Sequence, residues 1–128
     1  MSPNLISKWI LKKPLFIKKN DKRYKRVMKQ LKTQGFSYEE TWALDSVICQ
    51  FVLPRLICFR KVLSGHPGNL SPEKWDEILG KMIFAFDWSL NWEEDKYDSL
   101  TDQQKDENWK RYDEGMKLFA KYFRDLWW

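Results

Sequence analysis

The chain has few residues that break helices or cross-link loops: five glycines, five prolines and two cysteines among 128 residues. The glycines and prolines gather at a few boundaries, which favours long uninterrupted elements. Cys49 and Cys58 lie on one predicted helix, about 13 Å apart along its axis and therefore too far apart for a disulfide. We expect both to be buried apolar thiols in a reducing compartment.

The sequence also lacks the signatures of catalysis and of metal binding. Its single histidine, His66, lies in a turn rich in glycine and proline. A Gly-rich phosphate loop, an HExxH motif and a CxxC motif are all missing. Two cysteines and one histidine in this pattern do not make a zinc site. We therefore predict a protein that is not an enzyme and that holds no metal and no other cofactor.

Long apolar runs are missing as well. None approaches the roughly 20 residues that a membrane-spanning helix requires. The first apolar patch, within residues 1–15, is interrupted by lysines, unlike a signal peptide. We expect a cytoplasmic protein with no transmembrane segment.

Charge is divided unevenly along the chain. Residues 1–32 carry eleven Lys or Arg and one Asp, whereas the other 96 residues carry twelve Lys or Arg and seventeen Asp or Glu. A basic region with interspersed aromatic residues is typical of surfaces that bind nucleic acid or other anions. Pairing of the same lysines with the acidic segment 93–107 is the alternative. The predicted nucleic-acid or anion surface consists of Lys22, Arg23, Lys25, Arg26 and Lys29.

Apolar periodicity predicts helices along most of the chain. A narrow apolar stripe indicates a first helix over residues 21–34, with Gly35 as its stop. Ser37 and Glu40 form a capping-box pattern that predicts the start of a long helix to about residue 63. That helix is apolar nearly all round, so we expect it at the centre of a bundle, with a kink at Pro54.

Two further helices follow the turn at residues 64–69. Ser71 and Pro72 have the N-cap and N1 pattern of a helix that runs to about residue 90. Thr101 and Gln104 form a second capping-box pattern, which opens a helix over about residues 102–126. The sequence therefore predicts an all-α fold, a compact bundle of about four helices. Residues 21–128 would form a single helical domain and residues 1–20 a basic N-terminal arm.

Arg55 is an unexpected charge on this central helix, because ideal helical spacing places it among Ile48, Phe51 and Phe59. An unpaired buried guanidinium would cost several kcal/mol, so a partner is expected. One alternative is an internal carboxylate, from Asp45, Asp76 or Asp87. The other is a bound anion, since guanidinium groups match phosphate geometry.

Several segments resemble small proteins of tailed bacteriophages: residues 35–45, 51–60, 67–70, 75–79, 82–86 and 114–123. The resemblance covers roughly residues 35–127, and the group has no function that can be transferred. It implies a small phage-encoded protein in the cytoplasm of a bacterial host. Proteins in that context often block host machinery, and some sequester nucleotide signals of antiphage defence.

We expect a non-enzymatic protein that captures an anionic nucleotide-type ligand. Its predicted site comprises Arg55, Arg60, Lys61 and Trp42, since basic residues hold phosphates and aromatic rings stack on bases. One alternative is a helical protein–protein interaction module that blocks a host or phage protein through an exposed patch of Trp127 and Trp128 with Trp88 or Trp92. Another is nucleic-acid binding through the basic N-terminal region. The sequence leaves open whether the chain forms a homo-oligomer.

The substitution Arg55→Met separates the two explanations of Arg55. If Arg55 anchors a ligand, the melting midpoint should hold or rise, while ligand affinity falls by about 2–5 kcal/mol. If Arg55 pairs with an internal carboxylate, the substitution strands that carboxylate and should cost roughly 3–5 kcal/mol of stability. Thermal melting of the variant beside the parent decides between them.

Overall fold

The computed structural model describes residues 17–127. Within this range the chain forms helices and no strand, so the predicted all-α class with about four helices is confirmed. The α-helices are α1 (Tyr24–Thr33), α2 (Leu44–Val62), α3 (Pro72–Asn91) and α4 (Asp102–Lys121). Three short 3-10 helices cover Tyr38–Thr41, Asp95–Tyr97 and Phe123–Asp125. Most of the predicted N-terminal arm, residues 1–16, lies outside the described residues.

The chain divides into two units by its internal contacts, the first ending at Phe51 and the second beginning at Val52. Helix α2 continues through this boundary without interruption, with Pro54 inside it. The single domain over residues 21–128 stays a prediction.

The first helix ends as its sequence predicts. Val27 and Leu31, on the predicted apolar stripe, are buried. Gly35 adopts a φ of 86°, in the left-handed region that favours glycine. The backbone N–H of Gln34 and that of Gly35 both donate to the carbonyl oxygen of Gln30, at 2.8 and 3.2 Å. The chain therefore leaves α1 in a glycine-terminated reversal.

The long second helix was predicted to start too early. Glu40 does accept the backbone N–H of Ser37, at 2.6 Å, as the capping-box pattern predicts. The cap opens a 3-10 helix, however, in which the N–H of Trp42 donates to the carbonyl oxygen of Glu39. Helix α2 begins only at Leu44. The 3-10 spacing ends after one short run, because its hydrogen-bond geometry is poorer than that of an α-helix.

Helix α2 is less buried than its composition predicts. Val47, Cys49 and Leu56 are buried, but many of its other apolar side chains are exposed: Leu44, Ile48, Phe51, Ile57 and Val62. The expectation of a fully central helix was therefore wrong. Cys58 is exposed as well, so only Cys49 is the buried thiol expected. An apolar composition identifies side chains that can be buried, and only the packing decides which of them are.

Helices α3 and α4 pack against each other and form the core of the second unit. Ser71 caps α3 by accepting the N–H of Lys74 at 3.1 Å, and Pro72 occupies the first turn. Thr101 and Gln104 form the predicted capping box of α4. The buried residues of α3 recur at helical spacing: Trp75, Ile78, Leu79, Met82, Ala85, Phe86 and Trp88.

Aromatic side chains fill this core in edge-to-face pairs. The rings of Trp88 and Trp109 lie 5.7 Å apart, and Trp109 also meets Trp92 and Tyr112. Trp75 meets Tyr122 at 5.6 Å. Such pairs contribute about 0.5–1.5 kcal/mol each beyond their buried area. The aromatic richness of the second unit therefore has a structural explanation, and Trp88, once a candidate for an exposed patch, is buried.

Gly115 lies where α3 and α4 approach each other closely. A β-carbon at this position would collide with the carbonyl oxygen of Lys81 and would lie 2.5 Å from the β-carbon of Ala85. Backbone atoms cannot move aside as a flexible side chain can, so the two helices would have to separate.

We expect Gly115→Ala to lower the stability of the protein by at least about 1–3 kcal/mol, as overpacking does. Gly68→Ala is the matched control, because nothing lies within 4 Å of the β-carbon it would add. The measurement is the denaturant midpoint of each variant. Equal midpoints for the two variants would contradict the close approach of the helices.

Candidate functional site

Two arginines and two aromatic rings meet within the first unit. Arg26 lies in the first turn of α1, and Arg23 directly precedes that helix. Tyr38 opens the first 3-10 helix, and Trp42 directly follows it. The guanidinium carbon of Arg23 lies 5.5 Å from the ring centroid of Trp42, and that of Arg26 lies 5.5 Å from the ring centroid of Tyr38. These four residues are named the arginine–aromatic face.

A buried carboxylate holds this face together. Glu39 is only 1% exposed, and its two oxygens accept hydrogen bonds from Nη1 and Nη2 of Arg26 at 3.0 and 2.5 Å. Nη1 of Arg23 lies 3.9 Å from the same carboxylate. Hydrogen bonding to Arg26 lowers the pKa of Glu39 despite its burial. Glu39 is therefore charged at neutral pH and orients both arginines.

Two more side chains hold the guanidinium groups of this face in place. Asp21 accepts hydrogen bonds from Nε and Nη2 of Arg23 at 3.0 and 2.8 Å, which lowers the pKa of Asp21. Gln30 accepts from Nη1 of Arg26 and from the backbone N–H of Tyr38, both at 3.0 Å. Paired donors of this kind fix the plane of a guanidinium group.

The two rings are exposed to solvent although guanidinium groups lie over them. Trp42 is 69% exposed and Tyr38 is 58% exposed. An arginine over an exposed ring contributes about 0.5–1 kcal/mol and restrains the ring orientation. The rings are thus oriented and still accessible, which is the arrangement that stacking on a flat ligand requires.

Lysines supply most of the positive charge near the face. Residues 17–51 carry eight Lys or Arg against four Asp or Glu. Lys22, Lys25, Lys29 and Lys32 are all exposed. The ion pairs found among residues 17–127 include none of these four lysines. Their ammonium groups can therefore bind an anion without first releasing a carboxylate.

The residues predicted to bind a ligand are distributed over both units. Trp42 lies in the first unit, beside Arg23 of the predicted anion surface. Arg55, Arg60 and Lys61 belong to the second unit, as residues of α2. Arg55 is partly exposed there, and Lys61 is exposed. The arginine–aromatic face thus joins one member of the predicted ligand set to the predicted nucleic-acid surface.

Arg60 has a structural partner within the second unit. Its Nε and Nη2 donate to the two carboxylate oxygens of Asp76 at 2.8 and 2.9 Å, which lowers the pKa of Asp76. The guanidinium group lies against Gly80, where an added β-carbon would come within 3.2 Å of it. Asp76, one of the three carboxylates considered for Arg55, is therefore held by Arg60. A recess of about 210 Å³ adjoins this pair, with His66 and Trp75 on its wall.

Sequence reasoning missed Tyr38 and Glu39 as members of the site. Their segment was explained by its capping box, and that explanation is correct for Glu40. The signal that could have identified Glu39 is its position directly beside the N3 residue of the cap. A carboxylate there has no capping role and is free to meet a basic helix.

No group of three or more His, Cys, Asp or Glu among residues 17–127 is placed to hold a metal ion. Within the same range, no helix combines the length and the apolar character that crossing a bilayer demands.

Comparison of the chain with models of protein families, with curated proteins and with solved structures finds no match. The resemblance to small phage proteins therefore stays a prediction.

Glu39 and Glu40 give opposite predictions, although they are adjacent and both buried. Burial raises the pKa of Glu40, whereas Arg26 lowers that of Glu39. At pH 7, Glu40→Gln should raise the melting midpoint, because glutamine still accepts the Ser37 N–H without a buried charge. Glu39→Gln should lower the midpoint by several degrees, because Arg26 loses its charged partner.

The pH dependence of the melting midpoints tests whether the charges of Glu39 and Glu40 cause these opposite effects. The raised pKa of Glu40 destabilises the fold when the carboxylate is charged, so the gain from Glu40→Gln should disappear as acid protonates the parent. The charged carboxylate of Glu39, whose pKa is lowered in the folded state, stabilises the fold above the ordinary glutamate pKa. This stabilisation is lost as the pH falls through the lower pKa of the folded state. The measurement is the melting midpoint of each variant and of the parent from pH 7 to pH 3. The assignment would be refuted if the difference from the parent changed in the same direction for both variants as the pH falls.

Proposed function

We propose that the protein is a non-enzymatic binding protein that captures an anionic nucleotide-type ligand on the arginine–aromatic face. The observation that carries the proposal is a pair of exposed rings, Trp42 and Tyr38, each oriented by an arginine that a carboxylate holds in place. Exposed lysines of the same unit would contact the phosphates. Following the phage resemblance, the ligand would be met in the host cytoplasm, and a nucleotide signal of antiphage defence is one such ligand.

The roles within the site follow from the contacts. Asp21 accepts two hydrogen bonds from Arg23 and Glu39 accepts two from Arg26, which fixes both guanidinium planes, so these arginines orient the rings. The rings would stack on the base, which contributes about 1–3 kcal/mol per base. Lysine side chains of α1 would neutralise phosphate as mobile point charges. Such a site recognises charge and a flat ring, and it supplies binding without a bond-breaking step.

Trp42→Ala tests the proposal directly. The expected result is a loss of nucleotide affinity of roughly 5- to 150-fold, since one stacking interaction is removed. Trp127→Ala is the matched control, because Trp127 is 76% exposed and lies in the second unit. Calorimetric titration with a panel of linear and cyclic nucleotides measures both variants, and circular dichroism verifies their fold.

A panel in which the parent protein binds no nucleotide and no oligonucleotide at micromolar concentrations would overturn the proposal. An equal loss of affinity in both tryptophan variants would contradict the location of the site. The protein–protein alternative would then be the stronger one. The first candidates for a protein–protein contact would then be three apolar side chains that are exposed at helical spacing along α2: Leu44, Ile48 and Phe51.

A further inference from the structure

We infer that the ligand of the arginine–aromatic face is a single-stranded polynucleotide and not a free nucleotide. The inference rests on the proposed function and narrows it. It is carried by three features of the first unit: how far the rings are exposed, how they are spaced, and how far the neighbouring lysines extend along α1.

The exposure of the rings favours a polymer. Pockets for small ligands bury about 70–90% of the ligand surface. Trp42 and Tyr38 keep more than half of their own surface in solvent, and Phe36, two residues before Tyr38, is exposed as well. A mononucleotide stacked on such a ring would remain largely hydrated. A strand adds many weak contacts of the same kind, and so gains affinity without an enclosed pocket.

The spacing of the rings favours a single strand over a duplex. Tyr38 opens the 3-10 helix and Trp42 follows its last residue. Four residues at about 2.0 Å rise separate the backbone positions of these two residues by about 8 Å along the axis. Bases stacked in a duplex advance about 3.4 Å per nucleotide. Two bases that occupy both rings must therefore be unstacked from one another, as happens when aromatic side chains bind a single strand.

The exposed lysines of α1 are spread over a greater length than a single phosphate group occupies. Lys25, Lys29 and Lys32, named the lysine row, stand at i, i+4 and i+7 of α1 and are all exposed. This spacing places them on one side of the helix over about 10 Å. Lys29 follows Arg26 by three residues, so the row borders the arginine–aromatic face. A row of about 10 Å is longer than the roughly 3.4 Å between successive nucleotides of one stacked strand, so it can contact more than one phosphate.

The contacts also predict how selective the protein is. Lysines bind phosphates without reading sequence, and every base offers a flat face for stacking. One bidentate edge of each guanidinium group is occupied within the site, since Arg23 donates to Asp21 and Arg26 donates to Glu39. We therefore infer binding that depends on strand number and on salt, and only weakly on sequence.

The experiment measures fluorescence anisotropy of a labelled oligothymidylate of about 15 nucleotides, near the upper end of single-strand site sizes. The full chain should bind this strand at micromolar concentration or below, and a duplex of the same length at least tenfold more weakly. Thymidine monophosphate should compete only at much higher concentration. Heparin, a polyanion without bases, should also compete less well than unlabelled strand.

Two sets of variants separate charge from stacking. Replacing the three lysines of the lysine row by alanine should flatten the slope of log affinity against log salt by about 2, at about 0.7 per lost phosphate contact. The matched control replaces the exposed Lys110, Lys117 and Lys121 of α4 and should leave the slope unchanged. Trp42→Ala should weaken binding roughly 5- to 150-fold with the slope unchanged.

The outcomes distinguish failure of this inference from failure of the proposed function. A mononucleotide that binds as tightly as the strand would overturn this inference and leave the proposed function standing. A duplex or heparin that binds as tightly as the strand would overturn it too, because stacking would then contribute nothing. If neither strand nor mononucleotide binds, both the inference and the proposed function fail.

Discussion

Within the first unit, the local structure depends on the buried carboxylate of Glu39. A charge that is 1% exposed is tolerated only when it is paired and hydrogen-bonded, and Arg26 meets both requirements through two of its nitrogens. This pair connects α1 to the first 3-10 helix across the reversal at Gly35. It also determines where the arginines and, through them, the rings of Tyr38 and Trp42 can lie. The arginine–aromatic face is therefore a consequence of how one acid is accommodated.

The second unit depends on a different constraint, which is the approach of α3 to α4. The missing side chain of Gly115 lets the two helices come close, and aromatic rings fill the remaining space in edge-to-face pairs. Arg60 and Asp76 add an ion pair against Gly80. Most of the tryptophans of this unit thus contribute to packing, whereas Trp42 in the first unit does not. Aromatic residues of one chain serve two purposes that composition alone does not distinguish.

Capping patterns and periodicity determined the helices, because these signals act between residues that are three or four positions apart. The termini of α1 and α3 and the capping box of α4 follow directly from Gly35, Ser71 and Thr101. The same local logic identified Glu40 as the acceptor of the Ser37 N–H. It failed where two local structures compete, since a capping box can open a 3-10 helix as well as an α-helix.

Tertiary structure alone decided which charges are paired and which apolar residues are buried. The basic composition of α1 is evident in the sequence, but the pairing of Arg26 with Glu39 requires the chain to reverse, as does the placement of Arg23 over Trp42. The burial of Val47 beside the exposed Ile48 was likewise decided by packing. Hydrogen bonds within one helical turn are specified by the residues that make them. Contacts between distant residues depend on the path of the whole chain, which no local pattern contains.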